Sequence, residues 1–186
     1  LGESNTISNG RANIAMGANN IADGNFNILG GKENETVTGN TNFLAGEKNK
    51  VLSGNSNIVL GFNNTASGNY NHLSGNNNTT VAGSSNILNG QNNIINSGSS
   101  NALFGFNNSA SANYAAAIGN GNTVQNESAI AFGNNNKDSG WASIAGGFEN
   151  IIENNVKFSA AFGYKNISGK NNSLLLTTPG AATFSA

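Results

Sequence analysis

The chain has 186 residues, of which only 9% are charged, and a formal net charge of −1. No electrostatic field of that size favours nucleic acid or an anionic membrane as a partner. There is no cysteine, which removes disulfides and thiolate metal sites and leaves the redox compartment open. No apolar run approaches the roughly 18 residues of a membrane span, so direct membrane contact is not expected. The 25 glycines and abundant asparagine fit a low-complexity tract by composition alone. Regular spacing of the aliphatic residues argues against disorder, which needs no period.

From the first residues on, one unit repeats. Apolar runs close on Gly2, Gly17, Gly31, Gly46, Gly61, Gly75, Gly90, Gly105, Gly119, Gly133, Gly147 and Gly163. A second landmark runs Gly10, Gly24, Gly39, Gly54, Gly68, Gly83, Gly98, Ala112, Asn126, Gly140, Asn154 and Gly169. The unit is 14 to 16 residues long, and its variable residue falls after the closing glycine. That period is too short for helical solenoids or leucine-rich repeats. Two strands of about five residues with two tight corners fit it, each coil pairing only with its neighbours about 4.8 Å away. The fold expected is all-β: a narrow parallel β-roll, or β-solenoid. Leu1-Gly2 reads as the end of a unit, so a piece of a longer protein is expected.

Two residues before each closing glycine every position is aliphatic, from Ala15 and Leu29 to Ala145 and Ala161. Its flanks are largely apolar too: Ile14, Met16, Ile28, Phe43, Ile58, Leu60, Ile87, Phe104, Ile118, Ile130, Phe132, Ile144 and Phe162. A strand apolar on both faces is covered on both. A roll this thin covers one, so the other predicts a partner chain along its whole length. Which face is interior stays open at this level.

Three residues after the closing glycine stand Asn20, Asn34, Asn49, Asn64, Asn78, Asn93, Asn108, Asn122, Asn136, Asn150 and Asn166. Asn tolerates left-handed backbone at corners, and its stacked amides bond along a ladder, so this column reads as structural. A second Asn column (Asn13, Asn27, Asn42, Asn57, Asn71, Asn86, Asn101) gives way to Ala115, Ala129, Ser143 and Ser159. Phe26, Tyr70, Tyr114 and Phe158 recur every 44 residues, as if three coils were duplicated together. Two extra residues break the register around Asn154–Phe158. The repeat roll is expected over 1–169, with 170–186 an exit segment holding a last strand and a turn.

Gly-x-x-Asn/Ser, with an apolar triplet before the glycine, resembles the YadA-like head of trimeric autotransporter adhesins. Asn101 to Gly105, Tyr114-Ala-Ala-Ala-Ile-Gly119 and Ser128-Ala-Ile-Ala-Phe-Gly133 carry the likeness most closely. The resemblance covers roughly residues 1 to 169. It implies a left-handed parallel β-roll, three of them around one axis as a parallel homotrimer. It further implies cell adhesion and virulence at a bacterial cell surface, with outer-membrane anchoring through parts outside this chain. The partner implied is a host cell-surface receptor or an extracellular-matrix protein.

Catalysis is not expected: one His, one Arg and nine carboxylates spread through the corners form no acid–base pair or nucleophile constellation. No cofactor is expected, and calcium-roll nonapeptides are absent, so no metal is either. His72 replaces Ile in an apolar column and reads as a packed or partly exposed side chain, or as one member of a three-fold imidazole ring holding water or an anion. Binding-site candidates are aromatics where the repeat departs from its own corner chemistry: Phe62, Phe106, Phe148 and Tyr164 after closing glycines, and Phe26, Tyr70, Tyr114, Phe158 and Trp141 on the opposite edge. A charged cluster, Lys32, Glu33, Glu35, Glu47, Lys48 and Lys50, marks the lengthened coils. Two other functions compete with the adhesin head: a structural spacer carrying a separate binding tip, and an ice-binding solenoid. Ice binding calls for a flat face repeating one short hydroxyl or amide outward, and here Thr fills no column while corner duty accounts for Asn.

Overall fold

The computed structural model describes residues 2–177. Within these the chain is β-strand and tight corner, with no helix. It divides after Asn92 into two compact units.

In the first unit a long strand and a short one alternate along the chain. The long strands are Gly2–Glu3, Ile14–Ala18, Ile28–Lys32, Phe43–Glu47, Ile58–Phe62, His72–Asn76 and Ile87–Gln91. Each pairs in parallel with the next, and the closing glycines sit in register from Gly2 through Gly17, Gly31, Gly46, Gly61 and Gly75 to Gly90. The short strands Thr6–Ile7, Ile21–Ala22, Glu35–Thr36, Lys50–Ser53, Thr65–Ser67 and Thr79–Thr80 stack the same way in a second sheet. A bulge between Ala66 and Ser67 takes up the residue by which neighbouring coils differ.

The second unit repeats this plan. Its long strands are Ala102–Phe106, Ala116–Asn120, Ile130–Asn134, Ile144–Phe148, Ala160–Tyr164 and Leu174–Leu176. Its short strands are Ile94–Ile95, Ser109–Ala110, Thr123–Val124, Lys137–Asp138, Ile151–Ile152 and Ile167–Ser168. Leu174–Leu176 pairs with Ala160–Phe162, so the described part of the exit segment is one more rung of the roll. The turn expected beyond it lies outside the described residues. At the register break, Trp141 N–H donates to Val156 O at 2.8 Å and Phe158 N–H to Trp141 O at 3.0 Å. The extra residues bulge there, and Gly147 still pairs with Gly163.

The interior is the column two residues before the closing glycine, together with the column five residues after it. The first runs Ala15, Leu29, Leu44, Val59, Leu73, Leu88 in one unit and Leu103, Ala117, Ala131, Ala145, Ala161, Leu175 in the other, all buried. The second holds Ala22, Thr36, Val51, Ala66, Thr80 and then Ile95, Ala110, Val124, Asp138, Ile152, Ser168, also buried. Successive side chains of a strand face opposite ways, so the apolar flanks of the first column point outward.

Corners are tight enough to demand glycine. Gly61 holds φ at 110°, and a Cβ there would collide with the carbonyl oxygen of Gly75 in the next coil.

Candidate functional site

Each coil turns at the first corner around a buried Asn. Asn64 donates from Nδ2 to Leu60 O and to Gly75 O, both at 2.9 Å, and also to Asn49 Oδ1 at 3.1 Å. Its own Oδ1 accepts the backbone N–H of Asn78 at 2.9 Å. In the second unit Asn122 does the same, reaching Ile118 O, Gly133 O and Asn108 Oδ1. These side chains are fully buried and saturated, so they hold corners and present nothing outward. The other corner uses the second Asn column, in which Asn57 N–H donates to Asn42 Oδ1 at 2.9 Å. That ladder ends where Ala115 N–H meets Asn101 Oδ1 at 2.8 Å.

With the ladder asparagines of the first corner turned inward, the two sheet faces remain. On the long-strand face of the first unit Ile14, Ile28, Phe43, Ile58 and Ile87 form a column 38–48% exposed, with His72 among them. Met16, Leu60 and Ser74 stand in the neighbouring column, beside Gly30 and Ala45. The second unit presents Ile130 and Ile144 half-buried, and Phe104, Ile118 and Phe132 at 38–46%, with Phe162 beyond. Neither column carries Asp, Glu, Lys or Arg in either unit.

The short-strand face is smaller and broken by charge. Glu35 and Lys50 are paired on it at 2.7 Å in the first unit, and Lys137 and Glu153 stand on it in the second. Thr65 and Thr79 are in register on it in the first unit, as are Ser109 and Thr123 in the second.

The aromatic candidates fall into two settings. Phe62, Phe106, Phe148 and Tyr164 end long strands at 37–40% exposure. Phe148 and Tyr164 stack on adjacent coils, centroids 5.4 Å apart. Phe26, Tyr70, Tyr114 and Phe158 all sit at positive φ, 54° to 58°, and are 57–65% exposed. Trp141 packs edge-on against Phe158 at 4.8 Å. The charged cluster is a checkerboard: Lys32 reaches Glu33 at 3.3 Å and Glu47 at 3.7 Å, and Lys48 reaches Glu33 at 3.8 Å. Glu33 beside it raises the Lys32 pKa. Such exposed pairs are screened by solvent and contribute little to stability. Among the described residues no three His, Cys, Asp or Glu side chains cluster as a metal site.

Comparison with curated proteins gives no match. The grass antifreeze beta roll family matches residues 14–72 and again 59–154, most of the described chain. The chain belongs to that family. Membership overturns the resemblance to YadA-like adhesin heads, and with it the adhesin and virulence roles, the trimeric autotransporter and the outer-membrane anchoring. The physical reason is that Gly-x-x-Asn after an apolar triplet records how a thin roll turns its corners. It is silent on what the faces touch.

Two features of this roll escaped the sequence reading. Four residues after the closing glycine, Thr6, Thr65 and Thr79 face outward in the first unit, and Ser109 and Thr123 in the second. Thr is a minority there, interrupted by Ile21, Glu35, Lys50, Ile94, Lys137, Ile151 and Ile167, so the expectation that Thr fills no column holds. The second feature is Asp138, fully buried in an interior column of Ala, Val, Ile and Thr. Its Oδ1 accepts Ser143 Oγ at 2.5 Å and Gly140 N–H at 3.1 Å, while Oδ2 has no partner. Burial pushes its pKa up to about 6. A lone Asp in an otherwise uncharged column was the signal available.

Proposed function

We propose that this chain binds ice through the outer face of its long-strand sheet. Family membership supports ice as the ligand, and one observation supports the face. Two adjacent outward columns are free of Asp, Glu, Lys and Arg in both units. Parallel pairing repeats those side chains every ~4.8 Å on a rigid backbone. Charged groups hold water in shells of their own geometry, whereas a flat apolar array leaves the first water layer free to order. Charge on the long-strand sheet is confined to its edge column, as at Lys32 and Glu47, whereas Glu35, Lys50, Lys137 and Glu153 cut across the short-strand face, which is the weaker surface.

Self-association and ice compete for this stripe, so the reading carries a chain that works as a monomer rather than as the coaxial trimer expected from the sequence. Thermal hysteresis and inhibition of ice recrystallisation test it. Leu60→Lys and Ser74→Lys abolish both activities, while Thr65→Lys and Thr79→Lys leave most of them. The reverse pattern moves the ice site to the short-strand sheet, and wild-type inactivity ends the reading. Sedimentation at working concentration checks the monomer.

A further inference from the structure

We propose that Asn63 and Asn77 in the first unit, and Asn107 in the second, are acceptors for N-linked glycans. Each opens an Asn-x-Ser/Thr tripeptide: Asn63-Asn64-Thr65, Asn77-Asn78-Thr79 and Asn107-Asn108-Ser109. The roll writes this tripeptide itself. The second residue after the closing glycine is held at φ 54° to 55°, which Asn tolerates. The next position is the buried ladder Asn, and the one after opens a short strand with Thr or Ser.

Burial sorts these tripeptides into two classes. Asn34, Asn78 and Asn166 open others, yet they are ladder residues with 0% exposure. Asn34 Nδ2 is committed to Gly30 O and Gly46 O, Asn78 Nδ2 to Ser74 O and Gly90 O, and Asn166 Nδ2 to Phe162 O. A sugar on any of those nitrogens has no room in the corner, so modification there and folding exclude each other. The three proposed acceptors are exposed. Asn63 Nδ2 donates to Asn77 Oδ1 at 2.7 Å, and a glycosylated amide keeps one N–H for that bond. Asn126 and Asn171 open two more tripeptides at the other corner, where each side chain holds the neighbouring coil.

The inference rests on the ice reading in one respect. Ice grows outside cells, and the matched family is named for grasses, whose exported chains pass through the compartment that houses oligosaccharide transfer. There the amide Nδ2 attacks the anomeric carbon of a lipid-pyrophosphate-linked oligosaccharide. The bond from that carbon to the pyrophosphate oxygen breaks, lipid pyrophosphate leaves, and the amide proton passes to the transferase.

The test is the chain secreted from a eukaryotic host, treated with peptide N-glycosidase in heavy-oxygen water and mapped by mass spectrometry. Labelled conversion to Asp is expected at Asn63, Asn77 and Asn107 and at none of the three ladder positions. Thr79→Val deletes the Asn77 tripeptide and leaves that of Asn78 intact, and it should remove one glycan mass. Unoccupied corners in the secreted chain, label at Asn78, or an unchanged mass in Thr79→Val overturns the proposal. None of these measurements reads ice activity, so failure of the ice reading is seen separately.

Discussion

Asn34 delivers two donors to one acceptor: its backbone N–H at 3.0 Å and its side-chain amide at 3.1 Å both meet Oδ1 of Asn20, one coil earlier. Asn49 repeats the pattern on Asn34, and Asn64 on Asn49. The roll thus carries a continuous polar spine where a thicker protein would carry apolar core. Each member completes the corner before it and after it.

Removing one member should therefore cost more than one hydrogen bond. Asn64→Ala strands Leu60 O, Gly75 O and the Asn78 backbone N–H, all held by that side chain. At about 1–3 kcal/mol for each buried group left unsatisfied, with partial relief from water, the expected loss is on the order of 3 kcal/mol. Urea unfolding measures it. A loss under about 1 kcal/mol would mean that water fills the corner as well as the amide does.

This spine is why so much of the fold was readable from sequence. Glycine spacing gave the coils and the invariant Asn column gave one corner, while the aliphatic column from Ala15 to Ala161 and its apolar flanks left the choice of interior to the structure, which buries the column itself. The faces were harder, because the flanks Ile58 and Leu60 look the same whether water, ice or another chain lies against them. At that point the adhesin head and the ice-binding solenoid part, and the family match supports the second. The corner motif does not distinguish them, whereas an ice face is defined by flatness and missing charge, neither of which is a motif. Asp138 lies outside the repeat's consensus, one carboxylate in a column otherwise uncharged.

Asp138 gives the chain a pH dependence of definite sign. Its folded pKa of about 6 lies above the ordinary 3.8, so the folded state keeps a proton that the unfolded chain releases. The stability contributed by this group is complete below pH ~4 and is lost as pH rises through about 6, a difference of about 3 kcal/mol. Asp138→Asn keeps an oxygen for the Ser143 hydroxyl and removes the titration. Its urea midpoint should be flat across that window and higher than wild type at neutral pH. A wild-type midpoint that climbs between pH 4 and 6 would show the carboxylate to be stabilised in the interior instead.

Tyr70 should be a stability defect. It holds φ at 57° while 65% exposed, so left-handed strain is offset by little packing. That strain is about 1–2 kcal/mol for a residue with a Cβ, and Asn tolerates the conformation better. Tyr70→Asn is expected to raise stability by about 1 kcal/mol in thermal or urea unfolding. A decrease would assign the ring a packing role along this edge that its exposure does not suggest.

His72 is the outlier of the proposed ice face. It pairs in register with Ile58 on one side and Ile87 on the other, so one imidazole interrupts a run of branched aliphatic side chains. An imidazole binds water by directed hydrogen bonds, which oppose an ordered layer over the columns beside it. His72→Ile should raise thermal hysteresis while changing stability by no more than ~0.5 kcal/mol, as expected of an exposed position. Freezing-point measurements on matched concentrations decide the matter. Hysteresis that is unchanged would detach this column from the ice contact, since a surface that binds ice through Ile58 and Ile87 cannot be indifferent to the residue between them.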